Sequence, residues 1–353
     1  MKATLTLLDQ NTFKEYTKFI TRNKSFLWYV SLSYKELFTE YLHANPLYYI
    51  VSINQKIVGC LPLFEKPNAQ YGAVLNSLPY YGSNGAFLLD ECLNHDERNE
   101  VMSMLLKEVL KYSELNSIAA LTIITSPLDE FSSQFLESNF NFTYKDYRIG
   151  QLTPLSKSKE SLLQTFSNPR PRNIRKAIKC NVRIRQSNSR DDFDFLIETH
   201  QSNMQSIGGK QKEASFFNLI FNKEAKFDYK LYIAEIDDKK VAGLLLFYFN
   251  ETVEYFTPCT LHEFRNSQPS SLLIYEAMKD AIDDGYSFWN WGGTWEEQKG
   301  VYDFKKKWGA TDKKYYYYTK IFNDKITELS TNNLLEFFSN FYTMPFKNLK
   351  TKL

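Results

Sequence analysis

Two stretches, Tyr49–Phe64 (YIVSINQKIVGCLPLF) and Tyr232–Phe247 (YIAEIDDKKVAGLLLF), are near copies, one in each half of the chain. Each runs from an apolar segment through a polar turn, a Lys, a β-branched residue and a Gly into a second apolar segment. Apolar runs flanking Asn54-Gln55 or Asp237-Asp238 predict antiparallel hairpins. A hairpin recurring at this distance predicts two copies of one domain; chance similarity of two amphipathic hairpins is the competing reading.

Length agrees with duplication, because 353 residues exceed what a single core usually supports. The division expected is a first domain over 1–152, a second over 153–323, and a C-terminal helix within 324–353 packing back on the body. Helices are expected near Phe13–Ile20, Tyr34–Leu42, Asp96–Tyr112, Arg172–Lys179, Asp192–Met204, Phe216–Phe221, Ser271–Asp284 and Asn332–Tyr342. Strands are expected at Ala119–Ile124, Phe142–Leu152, Thr252–Thr257 and Tyr315–Tyr318, and Ser126-Pro127 reads as a helix start. Alternating helices and strands with recurring hairpins predict a mixed α/β sheet.

Composition excludes several classes. Basic residues number 43 against 41 acidic ones, so the whole protein is no polyanion-binding device and any nucleic-acid contact must be local. Cys60, Cys92, Cys180 and Cys259 lack paired metal or redox spacing, and His43, His95, His200 and His262 are equally dispersed, so no metal site is expected. The N-terminal residues show no secretory pattern and no window has the ~20 apolar residues that span a bilayer, which predicts a cytoplasmic protein.

The chemistry-bearing segment is Phe288–Ala310, FWNWGGTWEEQKGVYDFKKKWGA. A short aromatic strand is expected to meet a Gly292-Gly293 turn and then a basic, aromatic helix. The glycines permit close backbone approach to a ligand, and Trp295, Tyr302, Phe304 and Trp308 supply flat walls. Helical spacing places Val301, Phe304, Lys305 and Trp308 on one face, where a lysine is the odd member. The alternative is a core strand followed by an amphipathic helix with solvated lysines.

The spacing Gly300, Phe304, Lys305, Trp308, Gly309 resembles the signature of the Fem aminoacyltransferases and FemAB-like (BioF2-like) acyltransferases of the GNAT superfamily. Leu78–Leu89 (LPYYGSNGAFLL) is similar to the family's first-half loop, Asn173–Val182 to its basic helix, and Tyr255–Gly293 to its last strand-helix-strand unit. The resemblance implies two tandem GNAT-like domains with mixed, mostly antiparallel sheets. It also implies transfer of an aminoacyl or acyl group, from aminoacyl-tRNA or acyl-CoA, to an amino group of a cell-envelope glycan, nucleotide-sugar or peptidoglycan precursor. No tightly bound cofactor is expected. Two alternatives stay open: an acyl-CoA enzyme acting on an amino sugar of a capsule or O-antigen, and a non-catalytic binding protein on the same scaffold.

Residue roles follow from the same resemblance. Lys305 is the candidate cation for a developing oxyanion or a nearby donor phosphate, and Phe304 shapes the donor pocket. Substrate-binding candidates are Tyr80, Tyr81, Gly82, Asn84, Arg175, Tyr255, Arg265, Gln268, Trp291, Gly292 and Gly293. The segment Arg265–Ser271 lacks the glycines of an ordinary CoA loop. The basic run Arg170, Arg172, Arg175, Lys176, Lys179 either meets a tRNA acceptor end or is a solvated helix face. Peripheral contact with the inner membrane surface stays open.

Overall fold

The computed structural model describes residues 3–80, 84–155, 158–222 and 227–349. The chain forms two compact units, Met1–Arg148 with Lys314–Leu353, and Ile149–Lys313.

In chain order the elements of the first half are β1 (Ala3–Leu7), α1 (Phe13–Arg22), α2 (Leu32–Leu42), β2 (Asn45–Ile53), β3 (Lys56–Lys66), β4 (Ala73–Asn76), β5 (Leu88–Leu89), α3 (His95–Leu115), β6 (Ile118–Ile124), α4 (Phe131–Asn139) and β7 (Tyr144–Pro154). The rest runs α5 (Lys159–Leu162), α6 (Arg170–Lys179), β8 (Arg183–Ser187), α7 (Arg190–Ser206), α8 (Ala214–Asn222), β9 (Tyr229–Ile236), β10 (Lys239–Phe249), β11 (Thr252–Thr260), α9 (Pro269–Asp283), β12 (Phe288–Thr294), α10 (Lys299–Lys306), β13 (Thr311–Ile321) and α11 (Thr331–Phe337).

The repeated hairpins are β2–β3 and β9–β10, and they match in backbone detail. Asn54, Gln55, Asp237 and Asp238 all have positive φ, as a two-residue type I′ turn requires at both central positions. Each hairpin then carries a bulge in the same place, Val58 in one and Val241 in the other being left without an opposite partner. Counting from the turn, Gly59 corresponds to Ala242 and Cys60 to Gly243. The glycine shifts by one because the tightest helix approach is on opposite faces. A Cβ on Gly59 would lie 2.3 Å from Val101 Cγ1 of α3, whereas one on Gly243 would lie 3.2 Å from Leu196 Cδ1 of α7.

In the first unit the sheet runs β1-β2-β3-β4-β6-β13, with β5 also on β3. Helix α3, opened by an Asn94–Glu97 capping box, buries Val101, Leu105 and Val109 against Leu61, Leu121 and Ile123. In the second unit the order is β8-β9-β10-β11-β12-β7. Helix α9 covers one face through Leu273, Ile274, Ala277 and Met278, which pack with Leu244, Leu246 and Trp289.

Strand β7 leaves the first half to pair with β12, while β13 returns from the second half to pair with β6, both antiparallel. The sequence-based division assigns 314–323 to the second domain. In the structure Tyr317–Ile321 pairs with Ala120–Ile124 of the first unit, because each sheet completes its edge with a strand from the other half of the sequence.

Other differences are local. Ser126-Pro127 does not open a helix; α4 begins at Phe131, where Asp129 Oδ1 accepts from the Phe131 backbone N–H at 2.8 Å. The glycines after Trp291 form no turn, since β12 continues through both. The C-terminal helix is shorter than expected and ends at Phe337. Among the described residues no helix is long and apolar enough to cross a membrane.

Candidate active site

Strands β11 and β12 run parallel from Thr252–Phe288 to Glu254–Asn290, where their pairing ends. At that last rung Asn290 Nδ2 donates to Glu254 Oε2 at 2.8 Å, and Asn290 Oδ1 accepts from the Gly292 backbone N–H at 2.9 Å. One buried amide therefore ties the neighbouring strand to the glycine segment. Beyond it β12 is held by β7, with a register shift between Asn290 and Gly293. Gly292 sits in that bulge at φ +71°, a conformation that costs a side-chain-bearing residue about 1–2 kcal/mol.

The bulge turns successive carbonyls to one side, and Lys305 fills that side. Its Nζ donates to Gly292 O at 3.3 Å, Gly293 O at 3.1 Å and Thr294 Oγ1 at 2.7 Å. Thr294 Oγ1 donates in turn to Gln151 Oε1 at 3.2 Å, and Gln151 Nε2 donates to Tyr302 O at 3.3 Å. Only 7% of Lys305 is exposed, and burial lowers its ammonium pKa to about 7. An ammonium has three N–H donors, and all three face acceptors of the protein. Lys305 thus braces the glycine segment with its hydrogen bonds.

Aromatic rings floor the region beside the fork. Trp291 stacks on Trp308 at 5.9 Å between centroids and lies 4.8 Å from Tyr255. Phe304 meets Trp291 edge-on at 6.0 Å. The Trp291 indole N–H donates to Thr153 Oγ1 at 2.9 Å, and that hydroxyl donates to Trp308 O at 3.0 Å. The guanidinium of Arg170 lies over Phe304 at 4.3 Å and over Trp308 at 5.3 Å. Burial pushes the Tyr255 phenol pKa up, opposed in part by the Arg170 charge.

Of the expected residues, Lys305, Phe304, Tyr255, Trp291, Gly292 and Gly293 come together here. Val301 does not share their buried face, being 44% exposed, because α10 begins at Lys299 and turns that residue outward. Arg175 and Arg265 are exposed, and Gln268 is the N-cap of α9 in the left-handed region, donating from Nε2 to Arg265 O. Tyr80 and Asn84 belong to the first unit and are buried there. The Tyr80 ring is packed 4.7 Å from Phe38 and 5.6 Å from Tyr41, so it is part of an aromatic core cluster rather than an open stacking surface. Tyr81 and Gly82 lie outside the described residues. Among the described residues no group of three His, Cys, Asp or Glu side chains gathers to hold a metal.

Sequence reasoning missed Thr294, Gln151, Asn290 and Glu254. Thr294 directly follows the glycines, and a hydroxyl beside a lysine-bearing helix was the available signal. Gln151 and Glu254 come from strands distant in sequence and left none.

Residues 170–306 match the profile of the acetyltransferase (GNAT) domain. Residues 170–306 thus carry a GNAT acetyltransferase domain, and the chain has a Fem-like fold. Its similarity to the crystal structure of FemX has a TM-score of 0.73 at 16% identity, covering 93% of this chain and 99% of that one. A tandem GNAT protein from the clavulanic acid biosynthesis pathway aligns with a TM-score of 0.56 at 9% identity, covering 91% and 98% of the two chains. The C-terminal domain of a putative lysylphosphatidylglycerol synthetase from Agrobacterium fabrum aligns with a TM-score of 0.56 at 10% identity, covering 92% and 96%. No curated protein matches the chain in sequence. The GNAT profile spans α6 to α10, which are the elements that carry the fork, the glycine bulge and Lys305.

Proposed function

We propose that this acyltransferase moves an aminoacyl or acyl group from an activated ester or thioester to an amino group of a cell-envelope glycan or peptidoglycan precursor. The observation that carries the reading is the buried Lys305 bracing the Gly292–Thr294 backbone at the β11–β12 fork, beside the aromatic ledge of Tyr255, Trp291 and Phe304. The neutral amine attacks the donor carbonyl, the carbonyl oxygen gains negative charge, and collapse expels the donor's alcohol or thiol as the amine loses its proton. A fixed positive charge close to that oxygen lowers the barrier by roughly 3–4 kcal/mol. The amine attacks directly, so no covalent enzyme intermediate is needed.

The donor is an aminoacyl-tRNA or an acyl-CoA, and the FemX-like fold favours the first. The test incubates the purified protein with tRNA charged with a labelled amino acid, or with an acyl-CoA panel, and nucleotide-activated peptidoglycan and amino-sugar precursors. Mass spectrometry of the precursors reads the product. A new amide on one precursor, lost in Lys305→Met, is the expected result. Ligand binding without product from any donor would favour the binding-protein reading instead.

A further inference from the structure

The basic helix α6 divides into two kinds of residue. Arg172, Arg175, Lys176 and Lys179 are exposed, as a solvated face would be. Arg170, at the helix start, is half-buried and turned over the Phe304 and Trp308 rings. Its Nη2 reaches Phe304 O at a long 3.5 Å, and its buried Nε has no hydrogen-bond partner. No carboxylate among the described residues forms an ion pair with it. The neighbouring Trp308 indole N–H is also buried without an acceptor.

A desolvated guanidinium with an idle donor is costly unless something answers it. The guanidinium lies over the Phe304 and Trp308 rings and near the Tyr255 phenol. Lys305 cannot supply hydrogen bonds to an incoming anion while its three donors hold Gly292, Gly293 and Thr294. Arg170 is the cation beside Phe304 with donors to spare.

We propose that Arg170 binds a phosphate-ester oxygen of the acyl donor, while the Phe304 ring beneath it fixes the guanidinium plane. A planar, always-charged donor fork suits a phosphate better than a lysine does. The inference rests on the acyl-transfer reading, and it deepens that reading by naming a contact for the donor. The phosphate belongs either to coenzyme A or to the CCA end of a tRNA.

The experiment titrates wild type, Arg170→Met, Arg170→Lys and Arg190→Met with coenzyme A and, separately, with a CCA-ended oligoribonucleotide. Arg190 is an exposed arginine of α7 paired with Asp194 and serves as the control. The expected result is that one of the two probes binds wild type, that Arg170→Met weakens it roughly 10- to 100-fold, and that Arg190→Met leaves it unchanged. Arg170→Lys should restore part of the loss. For the oligoribonucleotide, the slope of log affinity against log salt should fall by about 0.7 on removing one contact. The probe that binds identifies the source of the phosphate.

Equal binding by Arg170→Met and wild type overturns the proposal while leaving acyl transfer standing. Failure of wild type to bind either probe also overturns it. Loss of product with every donor, despite an Arg170-dependent Kd, would instead sink the acyl-transfer reading. If Arg170→Met fails to fold, Arg170→Lys carries the test, with a several-fold loss expected and none overturning it.

Discussion

Lys305 Nζ lies 2.7 Å from Thr294 Oγ1, and this contact joins helix α10 to the glycine segment of β12. Through Thr294 the lysine also reaches Gln151 on β7. The side chain that the sequence singles out is therefore a brace for the glycine segment, and substitution tests what that brace and its charge contribute together.

Lys305→Met removes both brace and charge while keeping an unbranched apolar chain of similar length. The expected outcome is a fall in kcat of about 100-fold or more, with the circular dichroism spectrum unchanged. Lys305→Arg should not rescue it, because a guanidinium does not fit a space in which only 7% of the lysine is exposed. Turnover within twofold of wild type in Lys305→Met would remove Lys305 from the site.

Stability should depend on pH through the same group. Burial lowers the Lys305 pKa to about 7 from 10.5, so between those values the unfolded chain binds the proton and the folded one does not. Stability then rises with pH across that window. Below about pH 7 both states are protonated and the full cost of burying the charge is present. Thermal unfolding of wild type relative to Lys305→Met should therefore improve steadily from pH 7 to 10; a difference that stays flat would contradict the buried, depressed lysine.

Two glycines near the lysine should respond oppositely to alanine. Gly292 has φ +71°, so Gly292→Ala should cost about 1–2 kcal/mol and lower kcat by moving the carbonyls that Lys305 holds. Gly300 lies in α10 with open space where a Cβ would go, so Gly300→Ala should be neutral or stabilise by about 0.5–1 kcal/mol. Chemical denaturation of both variants checks the pair.

The two hairpins offer a third comparison. Gly59→Ala puts a Cβ 2.3 Å from Val101 Cγ1, while Gly243→Ala puts one 3.1 Å from Cys259 Sγ and 3.2 Å from Leu196 Cδ1. The first should cost about 1–3 kcal/mol and the second distinctly less, because the flexible leucine can give way. A larger loss at Gly243 would contradict the face assignment of the two glycines.

Much of the fold was legible because its signals are local. The polar dipeptides Asn54-Gln55 and Asp237-Asp238 mark type I′ turns, and apolar periodicity marks α3, α7 and α9. The candidate site was legible in part, since Phe304, Lys305 and the paired glycines lie within one short segment. Tyr80 misled for a physical reason: an aromatic ring beside glycines reads alike whether it faces a ligand or, as here, Phe38 and Tyr41.

The sequence by itself determined the duplicated hairpins, the α/β alternation and the placing of a lysine among aromatic residues, each of which depends on side chains a few positions apart. Tertiary structure alone decided that β7 pairs with β12 and β13 with β6, that a bulge rather than a turn holds Gly292, and that all three Lys305 donors are engaged. It also separated Arg170 from the exposed residues of its helix. Strand pairing and the hydrogen-bond partners of a buried cation join residues far apart in the chain, where spacing along the sequence carries no information about which acceptor meets which donor.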